Sequence, residues 1–177
     1  MLTVVIGGAR SGKSRFAQSL CADRHRVTYI ATARAEDDEM RARVAHHRAD
    51  RPAHWQTIEE PRAIADAAER CVSECDALLL DCLTLWASNL CFALADNSED
   101  SLRAAAGVEL ERLAAISRRI DIVVVTNEVG CGLVPDSALG RLFRDLQGWI
   151  NQDIARAADV VYHVVAGIPI EIKRNIP

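Results

Sequence analysis

Leu2-Thr3-Val4-Val5-Ile6 runs directly into Gly7-Gly8-Ala9-Arg10-Ser11-Gly12-Lys13-Ser14, and an amphipathic stretch begins at Arg15. The first five residues are apolar or β-branched, the signature of a buried strand. The next eight carry glycines at 7 and 12 followed by Lys13-Ser14, which is the spacing of a Walker A loop. A strand before the loop and a helix after it supply the context that this motif needs. Gly7, Gly8 and Gly12 let the backbone come close to phosphates and turn its N–H groups inward, with Ala9, Arg10 and Ser11 completing the cradle. A helix starting at Lys13 adds the partial positive charge of its N-terminus. Lys13 would reach the β- and γ-phosphates, and the Ser14 hydroxyl would ligate Mg²⁺. The stretch therefore predicts an α/β fold that holds a nucleoside triphosphate. It leaves the reaction open.

Working outward, apolar β-branched runs alternate with helical patterns. Strands are predicted at 2–6, 27–31, 77–81, 121–126 and 159–165, with weaker signals at 54–58 and 168–172. Helices are predicted at 13–23, 37–48, 61–74, 83–94, 100–118 and 137–157. Such alternation makes a mainly parallel sheet with helices on both faces. The unbroken runs Leu78–Leu80 and Ile122–Val125 read as central strands. Ala166-Gly167 reads as a turn that brings a last, antiparallel strand to the edge. Asn97-Ser98-Glu99-Asp100 reads as a polar surface loop. There is no repeat and no low-complexity tract, so residues 1–177 are expected to form one domain.

Composition narrows the partners. The net charge of −4 argues against nucleic acid, because a surface that tracks phosphates needs a basic excess. No stretch approaches the ~20 apolar residues of a membrane span. The first apolar run ends at Gly7-Gly8 with no positive charge before it, unlike a secretory signal. A cytoplasmic location is expected. Of the six cysteines, at 21, 71, 75, 82, 91 and 131, no two form a C-x-x-C pair. They are expected to be reduced, partly buried thiols without a metal role.

Two further segments carry chemistry. A Walker A loop needs a second acidic group for Mg²⁺ at the end of a neighbouring strand. Ala77-Leu78-Leu79-Leu80-Asp81 has that form, so Ser14 and Asp81 are the candidate metal ligands. Asp81 as a plain cap for the helix from Leu83 is the alternative. The second segment is Asp37-Asp38-Glu39-Met40-Arg41-Ala42-Arg43-Val44-Ala45-His46-His47-Arg48. Its acids lead and its bases trail, which suits a helix dipole. Pro52 stops helical continuation. The histidines have two readings. They sit on the dipole at a helix C-terminus, or one of them is a nucleophile, since a mostly neutral imidazole can attack phosphorus. Adjacent histidines point about 100° apart and so would not share one role. Periodicity does not choose among His46, His47 and His54.

The Gly7–Ser14 loop, Tyr29-Ile30-Ala31-Thr32, Asp37-Asp38-Glu39-Met40, His46-His47 with Arg51-Pro52, Thr126-Asn127-Glu128-Val129-Gly130 and Val134-Pro135 resemble one family together. It is the bifunctional adenosylcobinamide kinase/adenosylcobinamide-phosphate guanylyltransferase family of cobalamin biosynthesis, and the resemblance runs nearly end to end. It implies a RecA-like P-loop NTPase domain and a homotrimer. It implies two reactions. ATP or GTP phosphorylates adenosylcobinamide. GTP then gives GMP to adenosylcobinamide phosphate through a GMP–histidine intermediate, releasing pyrophosphate. The family's nucleophile is the first histidine of the pair, so that role falls on His46. Its nucleotide contacts fall on the loop, on Ala31, Thr32 and Ala33, on His47, Arg48, Ala49 and Asp50, on Glu59, and on Asp81, where Glu is expected as often as Asp. Glu128, past the carboxyl end of the Asp121–Val125 strand, is a candidate base toward the substrate hydroxyl or a helper for Mg²⁺, with a loop acid satisfied by water as the alternative. Trp86, Leu90 and Phe92 are apolar candidates for a corrinoid surface, with core or interface burial as the alternative.

Overall fold

A computed structural model describes residues 1–34, 38, 51–93 and 98–175. Among them run β1 (Leu2–Gly7), α1 (Lys13–Ser19), β2 (Val27–Ala31), β3 (Gln56–Glu59), α2 (Ile64–Cys71), β4 (Ala77–Asp81), α3 (Leu83–Ala93), α4 (Glu99–Ile116), β5 (Asp121–Asn127), α5 (Ala138–Ala157), β6 (Val160–Val165) and β7 (Ile168–Arg174). The strands form one sheet in the order β3-β2-β4-β5-β1-β6-β7. All pairs are parallel except β6 with β7. Both weaker strand signals are realised, and β7 is the expected antiparallel edge.

Alternation along each strand divides the core into two layers. Leu78 and Leu80 of β4, Ile122 and Val124 of β5 and Val4 of β1 face α2, α3, α4 and α5. Leu79, Val123, Val125 and Val5 face the other way, onto Ala17 of α1, Cys21 and Trp55. Among the described residues the cover is therefore unequal: four helices on one face and α1 on the other. A period of two places each strand's side chains in both layers, which explains why the central runs are apolar without interruption.

Several boundaries differ from expectation for local reasons. α1 ends at Ser19, where the Ser19 hydroxyl donates to the Phe16 carbonyl (2.7 Å) and competes with the helix ladder. α2 begins at Ile64 because the Glu60 carboxylate first takes the Arg62 and Ala63 N–H groups (3.0 and 2.9 Å). The polar stretch after α3 is not all loop. Ser98 caps α4 by accepting the Ser101 N–H (3.3 Å), and Glu99 and Asp100 form the first turn, where acids suit the dipole. Asn97 and, apart from Asp38, the predicted helix at 37–48 with its two histidines lie outside the described residues. Trp86 is fully buried and donates its indole N–H to the Arg62 carbonyl (2.7 Å). Leu90 is buried as well, so neither offers a corrinoid surface, while Phe92 is exposed. Cys131 is exposed, and the other five cysteines are buried. No helix among the described residues is long and apolar enough to cross a membrane.

Candidate active site

The sheet places four strand ends side by side. Gly7 closes β1, Asn127 closes β5, Asp81 closes β4 and Ala31 closes β2. In open α/β sheets this carboxyl edge is where ligands bind. β5 lies between β1 and β4, and strands are spaced about 4.8 Å apart, so the ends of β1 and β4 stand roughly 10 Å from each other.

The loop from Gly7 to Ser14 is tightly built. A Cβ on Gly7 would come within 2.6 Å of the Val164 carbonyl and 2.7 Å of Ser11 Oγ, so only glycine fits. Gly8 meets nothing within 4 Å and faces open space. Ser11 donates its N–H to the Gly8 carbonyl (3.2 Å). Arg10 is exposed with φ +56°, and Ala9 is exposed beside it. Lys13 is buried, and its ammonium donates to the Gly8 carbonyl (3.1 Å). Ser14 is half-buried in the first turn of α1. Ser11 Oγ is buried without a protein partner, an acceptor and donor left for a ligand of this loop.

The neighbouring strand ends add polar groups. Asp81 is half-buried, and its carboxylate acts on the Tyr29 phenol. Burial first, and the Asp81 charge second, push the Tyr29 phenol far above its usual range, so it stays a neutral donor. Arg51 lies over the same ring, with its guanidinium carbon 3.3 Å from the centroid, and its Nε is buried without a partner. Cys82 follows Asp81. Burial, then Asp81, push its thiol up to about 11, while Lys13 acts in the opposite sense. Among the described residues no group of three or more His, Cys, Asp or Glu side chains gathers as a metal centre. Ser14 and Asp81, the expected Mg²⁺ ligands, offer oxygen donors only, the donor chemistry that suits this hard cation.

Thr32 has a different environment from that of a free hydroxyl. It is fully buried; its Oγ1 donates to the Cys82 carbonyl (2.7 Å) and accepts the Cys82 N–H (2.9 Å). Its carbonyl accepts from Asn89 (2.8 Å). Thr32 thereby ties the exit of β2 to that of β4 and fixes Ala31 and the half-buried Ala33 at the site. Glu59 is exposed at the end of β3, opposite Ala31. Glu128 donates its N–H to the Gly7 carbonyl (3.1 Å), and its Oε1 accepts from Gly130 (2.7 Å). His54 is exposed near the start of β3. His46, His47, Arg48, Ala49 and Asp50 lie outside the described residues.

A buried polar group missing from the sequence reading sets the exit of β5. Thr126 Oγ1 donates to Asn151 Oδ1 (2.7 Å), Gln147 Nε2 donates to both (2.9 and 2.8 Å), and Asn151 Nδ2 donates to the Asn127 carbonyl (3.0 Å). Thr84 accepts the Asn127 N–H (2.8 Å). A signal existed: Gln147 and Asn151 are four apart on α5, among Leu146, Ile150 and Ile154, so two amides occupy its apolar stripe.

Comparison with known proteins places the chain in a family. The family model for cobinamide kinase / cobinamide phosphate guanyltransferase matches residues 3–172. The bifunctional adenosylcobalamin biosynthesis protein CobU of Salmonella typhimurium is 44% identical over 98% of this chain and 100% of its own length. The Escherichia coli CobU protein is 41% identical over the same shares, and the CobP protein of Pseudomonas aeruginosa is 45% identical over 98% of each chain. A solved structure of an ATPase from the type III secretion system of pathogenic bacteria shares the fold at TM-score 0.54 and 13% identity, over 96% of this chain and 56% of that one. The chain belongs to the cobinamide kinase / cobinamide phosphate guanyltransferase family.

Proposed function

We propose that this chain is the bifunctional transferase of adenosylcobalamin biosynthesis, carrying both reactions in the single domain 1–177. The observation that carries the reading is a buried lysine, Lys13, inside a glycine loop whose neighbouring strand ends present Asp81 and Glu128.

In the kinase reaction the aminopropanol hydroxyl of adenosylcobinamide attacks the γ-phosphorus of ATP or GTP. A new P–O bond forms, the β–γ bridge breaks, and the nucleoside diphosphate leaves. Glu128 takes the hydroxyl proton, while Lys13 and the loop N–H groups meet the charge on the transferred group. Ser14 and Asp81 would hold Mg²⁺, which would supply charge neutralisation to the phosphates.

In the second reaction a neutral nitrogen of His46 attacks the α-phosphorus of GTP. A P–N bond forms and pyrophosphate leaves. A phosphate oxygen of adenosylcobinamide phosphate then attacks the same phosphorus, the P–N bond breaks, and adenosylcobinamide-GDP is released with His46 restored. Splitting the transfer divides one difficult displacement into two. The bound nucleotide is contacted by residues 7–14, by Ala31 to Ala33, by His47 to Asp50, and by Glu59. At Thr32 the contact falls to its neighbours Ala31 and Ala33, since its hydroxyl is engaged with Cys82 and its backbone with Asp81 and Asn89. A trimeric assembly in the cytoplasm completes the reading, and sedimentation would measure the assembly.

Turnover of adenosylcobinamide tests the function. With MgGTP alone, adenosylcobinamide phosphate should appear first and adenosylcobinamide-GDP second. Absence of both products under conditions where the protein binds GTP would sink the assignment.

A further inference from the structure

The Walker loop rests against a hairpin some 150 residues downstream. β6 pairs with β1 in parallel, so Val164 stands beside Gly7. β6 and β7 are joined by two residues, Ala166 and Gly167, between the paired Val165 and Ile168. Both have positive φ, +51° and +83°. A two-residue turn with positive φ at both positions is the type I′ pattern, which matches strand twist and makes a stiff hairpin. Its tip reaches the loop at two points. The Gly167 N–H donates to the Ser11 carbonyl (2.8 Å). Gly12, itself at φ +92°, has its Cβ direction filled by Gly167 Cα at 3.1 Å.

We propose that the Ala166–Gly167 turn is a positioning element of the nucleotide site, holding residues 11–12 in the conformation that receives phosphate. The proposal rests on the reading of Gly7–Ser14 as the nucleotide cradle. Its physical basis is the planar trans peptide. In the Ser11–Gly12 unit the C=O and N–H point in opposite directions. With the Ser11 carbonyl held by Gly167, its lone pairs are turned away from the anion site and the Gly12 N–H is turned toward it. Were that peptide to flip, an acceptor would replace a donor at a site for negative charge. Gly7 is fixed from the same side, because the Val164 carbonyl occupies the place of its Cβ. Lys13 closes the loop from within by its bond to Gly8. Two of the motif's glycines are therefore required by the hairpin as well as by the phosphates.

A Cβ at position 167 would meet nothing within 4 Å, so substitutions there test conformation and not space. Asn and Val have similar volumes but opposite tolerance of positive φ. Calorimetric titration of the full-length protein with MgGTP should show Gly167→Val weakening binding about tenfold and Gly167→Asn about threefold. Ile170→Thr, on the exposed side of β7, loosens the hairpin away from its tip and should stay within about twofold of wild type. If Gly167→Val fails to fold by circular dichroism, glycolate in place of Gly167 removes the N–H alone, and it should weaken binding about fivefold. Equal affinity for the Val, Asn and wild-type proteins, an unchanged affinity for the glycolate protein, or an Ile170→Thr defect as large as that of Gly167→Val would overturn the proposal. Lys13→Ala separates the two readings: if it binds MgGTP like wild type, the cradle assignment itself fails.

Discussion

Replacing Thr32 by valine removes one oxygen and almost no volume, and the structure makes its cost calculable. Thr32 is fully buried, and its hydroxyl makes two bonds to the Cys82 peptide. The Cys82 carbonyl keeps a second donor, the Trp86 N–H (3.2 Å). The main penalty therefore falls on the Cys82 N–H, which loses Thr32 Oγ1 in a place that is dry. An unsatisfied buried donor costs about 1–3 kcal/mol, and the weakened carbonyl adds a fraction of one bond. Together these give about 2–3 kcal/mol. Thr32→Ser keeps the hydroxyl and loses only a methyl, for about 1 kcal/mol. Urea unfolding, followed by both far-ultraviolet circular dichroism and tryptophan fluorescence, measures the difference once the two transitions coincide. Thr32→Val should be less stable than Thr32→Ser by more than about 1 kcal/mol, with unchanged dependence on urea. If valine costs no more than serine, the Thr32–Cys82 bonds do not hold β2 to β4 as argued.

Other perturbations give distinct readouts. Trp86→Ala should lose about 3–5 kcal/mol in the same assay, because it empties a fully buried site and strands the Arg62 carbonyl. Iodoacetamide at pH 8 should alkylate Cys131 and spare Cys82 in the folded protein, as judged by peptide mass mapping; a thiol pushed up to about 11 is roughly one part in a thousand thiolate at that pH. Modification of Cys82 at the rate of Cys131 would contradict its burial. Glu128→Gln should slow phosphorylation of adenosylcobinamide by about 10²–10⁴-fold with little change in nucleotide affinity, and a wild-type rate would remove Glu128 as the base. Chelation of divalent cations should stop both reactions, and Mg²⁺ should restore them.

Much of the fold is legible in the chain because it is local. The β-branched runs mark the strands, and glycines followed by Lys13-Ser14 mark the loop. Asp81 after four apolar residues places an acid at a strand end two strands from the loop, where the structure has it. What stays hidden depends on pairings across the sheet. Nothing near Thr32 announces that its hydroxyl is engaged by the Cys82 backbone. Nothing near Ala166-Gly167 announces that the turn touches Ser11. Trp86 and Phe92 look alike as candidates for a corrinoid surface, yet α3 buries one and exposes the other, because the faces of a nearly all-apolar helix are distinguished only by packing. Gln147 and Asn151 were readable as amides on an apolar stripe, but their partners, Thr126 and Asn127, required the fold.

The central claim of the proposed function is that His46 carries GMP. GTP labelled at the α-phosphorus, incubated with the protein and Mg²⁺ without a corrinoid, should leave an acid-labile label on the denatured chain. The label should be absent in His46→Ala while that variant still phosphorylates adenosylcobinamide, and it should be discharged by adenosylcobinamide phosphate. Wild-type protein that takes up no label, or His46→Ala that labels like wild type, would contradict the account.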